Sequence, residues 1–233
     1  MTDLVPPREH ILSFTPRRGR VSPRQRGAID RLWSSFGLIV GDEPLDVDAL
    51  FGRSAPLVVE IGFGMGDATA TMAAGDPGRN LLAVDVHTPG FGALLNRVEE
   101  LGLTNVRVAD GDAYRLFQQC LRAHSVDEVR IFFPDPWPKK KHHKRRLINE
   151  EFVALLGSRM RRGGLLRLAT DWQDYADQMN VVLSASSEFE IVPGAGRRDR
   201  PITRFEQAGV DAGRPITDVV ARRCPSLPHD HRR

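Results

Sequence analysis

Cysteine is nearly missing from this chain of 233 residues: there are two, Cys120 and Cys224, and they form no CxxC pair. Neither a disulfide framework nor a zinc cage is expected, and a reducing cytoplasm is the natural setting. Long apolar runs are also missing. No stretch approaches the roughly 20 residues that a membrane span needs, and the first ten residues, MTDLVPPREH, hold no secretory core. The histidines have neither the spacing nor the acid partners of a metal site, so no metal is expected.

What the chain has is segregated charge. Residues 17–31 hold six arginines against one acid, Asp30. Residues 139–146 read KKKHHKRR, with no acid at all. Arg197, Arg198, Arg200 and Arg204 crowd around Asp199. The net charge of the whole is only +3, so the remainder is acidic. Three basic runs in one small chain fit a face that binds a polyanion, since each phosphate contact releases counterions.

Residues 1–35 combine arginine, proline and glycine with little apolar periodicity, which predicts a flexible basic arm. Residues 36–223 form the expected domain and 224–233 a short polar tail. Within the domain, apolar runs at 56–61, 81–86, 106–109, 129–133 and 165–170 read as strands, with helical patterns between them. One such pattern places Ile148, Phe152, Leu155, Leu156 and Met160 on a single helix face. Short strand candidates at 188–192 and 217–221 complete seven strands. Strands alternating with helices predict an α/β fold, a doubly wound, mostly parallel, Rossmann-like sheet with helices on both faces.

Ligands of such sheets bind outside the carboxyl ends of the strands. Five acids fall there: Glu60, Asp85, Asp112, Asp135 and Asp171. The first strand runs into Gly62, Gly64 and Gly66, a loop that lets backbone approach a ligand. A dinucleotide fingerprint would need glycine where Asp67 stands, and that carboxylate would repel a pyrophosphate. S-adenosylmethionine, with its ammonium, sulfonium and ribose diol, suits the acids better. Asp85 is placed to accept the ribose hydroxyls, Asp112 to take the adenine amino group, and Glu60 to act through the glycine loop near the methionine moiety. Each could instead be a helix cap or turn residue. Phe-Phe-Pro-Asp-Pro-Trp (132–137) presents Asp135 between two prolines at a sheet end, directly before the longest basic run.

Together EIGFGMG (60–66), VDVHTPGFGALL (84–95), FFPDPWPKKKHHKRR (132–146), TDWQDYADQM (170–179) and RPITRFE (200–206) resemble the bacterial tRNA (guanine-N7)-methyltransferases. The resemblance spans about residues 10–207, including SFTPRRGRVSPRQ (13–25). It implies a class I methyltransferase that modifies a tRNA guanine, the one in the variable loop, working as a monomer or homodimer. It implies cofactor contacts at Glu60, Asp85, Asp112 and Asp135. Substrate contacts are implied at Lys139, Asp171, Thr203, Arg204, Phe205 and Glu206. RNA is expected over Lys140, Lys141, His142, His143, Lys144, Arg145 and Arg146. After Glu206 the family shows a Gly-x-x-x-Gly-His-like stretch, from which QAGVDAGRPITDVVARR looks like a departure. Competing readings are an amino-methyltransferase, whose motif would carry a second proline after the acid, and a non-catalytic RNA-binding protein.

Overall fold

A computed structural model describes residues 13, 14 and 19–225. The first element already departs from expectation. Pro23–Phe36 is a helix, α1, where a flexible arm was expected. Local chemistry explains it: Ser22 and Gln25 form a reciprocal capping box, and Pro23 opens the first turn. Ala28 is buried, and Trp33 packs on Phe91 at 5.6 Å between ring centroids. Residues 1–12 and 15–18 of the expected arm, and residues 226–233 of the expected tail, lie outside the described residues.

The chain continues through β1 (Gly37–Ile39), α2 (Val47–Phe51), β2 (Leu57–Ile61), α3 (Asp67–Ala74), β3 (Asn80–Asp85), α4 (Thr88–Leu101) and β4 (Val106–Asp110). A short α5 (Ala113–Arg115) runs into a wider π turn, Leu116–Cys120. There follow β5 (Val126–Phe132), a 3-10 turn (Lys140–Arg145), α6 (Glu150–Arg159), β6 (Met160–Thr170) and α7 (Gln173–Ala185). The last elements are β7 (Phe189–Ile191), α8 (Arg204–Asp211) and β8 (Thr217–Arg223).

The sheet has eight strands, not seven, in the order β1-β4-β3-β2-β5-β6-β8-β7. The additional strand is β1, whose three residues are too few to show a period. Pairing is parallel throughout except at β8, which runs antiparallel to both β6 and β7. Met160 belongs to β6 and not to the helical face expected from its spacing, because α6 ends at Arg159 and the chain turns straight into the strand. All five residues of β2 are buried, as suits a strand covered on both faces. One core joins the sheet to α6 and α7, the other to α1, α3 and α4. Among the described residues no helix is long and apolar enough to cross a membrane.

Strand order reverses at β2, which has β3 on one side and β5 on the other. The carboxyl ends of these strands leave the crevice that doubly wound sheets use for ligands.

Candidate active site

A cavity of about 240 Å³ opens at that crevice. Its wall includes Gly62, Gly64, Asp85, Asp112, Asp135 and Phe205, all expected from sequence. Apolar side chains Ile61, Met65, Val84 and Ile131 line it, and Ser13 and Phe14 reach it from the amino-terminal segment. Glu60, Gly66, Lys139, Asp171, Thr203, Arg204 and Glu206 stand outside this wall.

The glycine turn is left-handed at all three glycines, with φ of 76°, 59° and 78° at Gly62, Gly64 and Gly66. A Cβ on Gly62 would meet no protein atom within 4 Å, so the backbone there is bare toward the cavity. Asp85 holds the turn in place: Oδ2 accepts from Gly64 N–H at 3.0 Å, and Oδ1 accepts from Val86 N–H and His87 N–H at 2.7 and 3.1 Å. Burial pushes its carboxyl up despite these three donors. Asp112 caps α5, accepting from Tyr114 N–H at 2.9 Å, so the cap and the cavity wall are the same residue.

Glu60 is buried under the turn. Thr69 Oγ1 donates to its Oε1 at 3.0 Å, while Oε2 has no hydrogen-bond partner. Burial raises its carboxyl, opposed by the charge of Arg130. A buried acceptor without a donor costs free energy until a partner arrives. The bare glycine backbone, this orphaned oxygen and the acids on the rim fit a cationic nucleoside such as S-adenosylmethionine.

On the other side of the crevice the chain is held by ion pairs instead. Phe133 and Trp137, each directly before a proline, have φ of 55° and 46°. Such backbone costs about 1–3 kcal/mol per residue and persists only where the surroundings enforce it. Arg200, fully buried, provides that enforcement. It donates to both carboxylate oxygens of Asp218 at 2.9 and 3.0 Å and to Glu206 Oε2 at 2.6 Å. Its guanidinium lies 5.4 and 5.3 Å from the ring centroids of Phe132 and Phe133. Trp137 is fixed by Arg145 over its ring at 3.9 Å and by its Nε1–H donating to Ser13 O at 2.9 Å.

Several expected contacts are redrawn by these pairings. Arg146 is not on the RNA face: it is buried, donating to Pro136 O and Gln178 Oε1 at 2.9 and 2.7 Å and pairing with Asp174. Glu206 is likewise buried, between Arg200 and Arg197, so its role is internal. Thr203 caps α8 through Glu206 N–H, and Arg204 is exposed. Lys139, just before the 3-10 turn, and Lys140, Lys141 and Lys144 on it are exposed, with His142, His143 and Arg145 half-buried among them. Partial desolvation, then the charges of Lys141 and Arg145, hold His142 below the ordinary histidine range. In the amino-terminal run, Arg24 pairs with Glu100 and Arg31 with Glu99, so these two charges are spent within the fold.

Asp171 pairs with a residue that sequence reading passed over. Arg214 reaches its Oδ2 with both Nε, at 2.8 Å, and a terminal nitrogen, at 2.7 Å. The departure seen after Glu206 is also smaller than expected, because Gly209 and Gly213 keep the Gly-x-x-x-Gly spacing and only the next residue, Arg214, differs. That spacing was the signal available for finding it.

A doubly wound sheet with this glycine turn and these ordered acids around the switch-point cavity defines a class I S-adenosylmethionine-dependent methyltransferase. A family profile described as "Putative methyltransferase" matches residues 54–219. A relative from Streptomyces avermitilis named tRNA (guanine-N(7)-)-methyltransferase is 51% identical over 228 residues, covering 96% of this chain and 78% of its own. One of the same name from Nitrosospira multiformis is 48% identical over 220 residues, covering 93% and 96%. The chain belongs to the tRNA (guanine-N7)-methyltransferase family. Solved structures share the fold alone. The 16S rRNA methyltransferase KamB matches with a TM-score of 0.56 at 16% identity, over 78% of this chain and 95% of that one. The [4+2]-cyclase SpnF matches at 0.52 and 13%, over 87% and 81%. A cyclase among the neighbours shows how little the sheet alone says about the chemistry.

Proposed function

We propose that the crevice holds S-adenosylmethionine against the variable-loop guanine of tRNA, and that Asp135 aligns that base and stabilises the charge it acquires. The reaction class follows from the family: methyl transfer from S-adenosylmethionine to N7 of a guanine in tRNA. The observation that carries the reading is Asp135 on the cavity wall, between two prolines, directly before the exposed lysines.

When bound, S-adenosylmethionine supplies a sulfonium methyl group that the in-plane N7 lone pair attacks without prior loss of a proton. The methyl group would leave its sulfur for N7, and the purine would carry the positive charge. The protein's tasks are therefore alignment and charge stabilisation. Alignment can supply about 7–11 kcal/mol of such a barrier. The strained, braced turn keeps Asp135 from drifting, and a carboxylate fixed before the reaction needs no reorganisation when charge appears. Lys139, Lys140, Lys141 and Lys144 hold phosphates beside the turn. Asp85 and Asp112 take the ribose and adenine ends, and Glu60 acts through the glycine turn.

Asp135→Asn is expected to lower single-turnover methyl transfer about 10²–10³-fold, while the cofactor dissociation constant stays within about threefold. Near-normal transfer would remove Asp135 from its role. A transcript with adenine in place of the variable-loop guanine is expected to accept no methyl group; undiminished incorporation would move the target elsewhere.

A further inference from the structure

We propose that Arg214 is a positioning residue: it pins one oxygen of Asp171 so that the other is presented to the Watson–Crick edge of the target guanine. The proposal rests on the reading of the site given above and assigns the source of its selectivity for guanine.

The geometry is one-sided. Both Arg214 nitrogens converge on Oδ2 of Asp171, at 2.8 and 2.7 Å. Asp171 stands directly after β6, on the same rim as Asp135, which lies three residues beyond the end of β5, and these strands are neighbours in the sheet. Its side chain is 19% exposed and that of Arg214 38%, so the pair is open to a partner. The second wall of the pair is Gly209 of α8. A Cβ there would come within 2.8 Å of Asp171 Cβ and 3.0 Å of Oδ2. The carboxylate is thus held between a helix that approaches to glycine distance and a guanidinium on the loop that follows. The same helix carries Phe205, which is 56% exposed and lines the cavity mouth. Asp171 is therefore tied to the helix whose Phe205 lines the cavity.

A carboxylate can only accept hydrogen bonds. Guanine offers two adjacent donors on that edge, N1–H and the 2-amino group, whereas adenine presents the unprotonated N1 lone pair at that position and its one donor, the 6-amino group, where guanine has O6. A pinned carboxylate would accept from guanine and repel adenine. As positive charge develops on the purine, its N1–H becomes a stronger donor, so the contact tightens during transfer. A carboxylate free to rotate would lose that preference, because it could turn its charge to solvent.

The test compares tRNA transcripts carrying guanosine or inosine at the target. Inosine keeps N7 and N1–H and lacks the 2-amino group. The wild type is expected to prefer guanosine by about tenfold or more in kcat/KM, the scale of a hydrogen bond to a charged group. Arg214→Ala is expected to bring that ratio to within about threefold of one, with cofactor affinity and thermal midpoint little changed, and Arg214→Lys to restore part of it. Gly209→Ala, which crowds the same carboxylate while keeping the arginine side chain, is expected to behave like Arg214→Ala. A ratio unchanged in both variants, or an equal loss for both transcripts, would overturn the proposal. A wild type that fails to methylate N7 of the guanosine transcript would instead overturn the underlying reading.

Discussion

The two banks of the crevice are built by different means. On the bank proposed for the cofactor, the acids at or just beyond the ends of β3 and β4 are held by backbone N–H groups: Asp85 accepts from Gly64, Val86 and His87, and Asp112 from Tyr114. On the substrate bank, acids are held by arginine side chains that reach them from other elements and loops. Asp171 meets Arg214, Asp218 and Glu206 share Arg200, and Asp174 meets Arg146. Local hydrogen bonds form whenever the strand–turn–helix unit forms. Long-range ion pairs form only when several elements have docked, and each buried charge is a liability until its partner arrives.

The largest expected effect breaks the substrate bank alone. Arg200→Met leaves the buried Glu206 and the half-buried Asp218 without their shared cation, and loss of one partner of a buried pair costs about 3–5 kcal/mol. Urea denaturation should show that loss, with cofactor affinity of the folded fraction retained. A variant as stable as wild type would mean that Arg200 does not brace the turn. The converse break is smaller. Asp85→Asn is expected to weaken cofactor binding about tenfold, the scale of a hydrogen bond to a charged group, as read by calorimetric titration. Affinity for tRNA should not change; an equal loss for both ligands would erase the distinction between the banks.

The smallest effect is in pH. Burial raises the carboxyls of Glu60 and Asp85 above their ordinary values. Between those ordinary values, near pH 4, and the raised ones, the folded protein binds more protons than the unfolded chain. Their stabilising contribution is therefore complete at low pH and is lost as pH rises through the raised values. A cationic ligand favours the ionised acids, so cofactor binding should release protons and strengthen a few-fold as pH rises through the same window. Titrations in two buffers of different protonation enthalpy measure this; proton uptake would contradict it.

The same contrast decides what could be read from sequence. The cofactor bank was legible because its signals are local: an apolar run, then glycines, then an acid at a strand end. Even its ambiguity was resolved by geometry, since Asp112 proved to be both cap and cavity wall. The substrate bank was only half legible. Residues 132–137 announced a rigid turn, but its bracing by Arg200 depends on packing between β5, α8 and β8. The basic run pointed to Arg146 as an RNA contact and the family resemblance to Glu206 as a substrate contact, whereas both are buried among internal partners. In the amino-terminal run, the capping box at Ser22 and Gln25 was present in sequence and passed over because arginines dominate the composition. Strand β1, three residues long, left no periodic trace.

The account turns on one atom, N7 of a tRNA guanine, and that atom has its own chemical signature. Unmodified tRNA is incubated with labelled S-adenosylmethionine and the protein, then treated with borohydride and aniline, which cleave the chain at N7-methylguanosine. The account predicts label incorporation with cleavage at a single guanine in the variable loop. Incorporation without cleavage would contradict it, because the methyl group would then sit on a different atom.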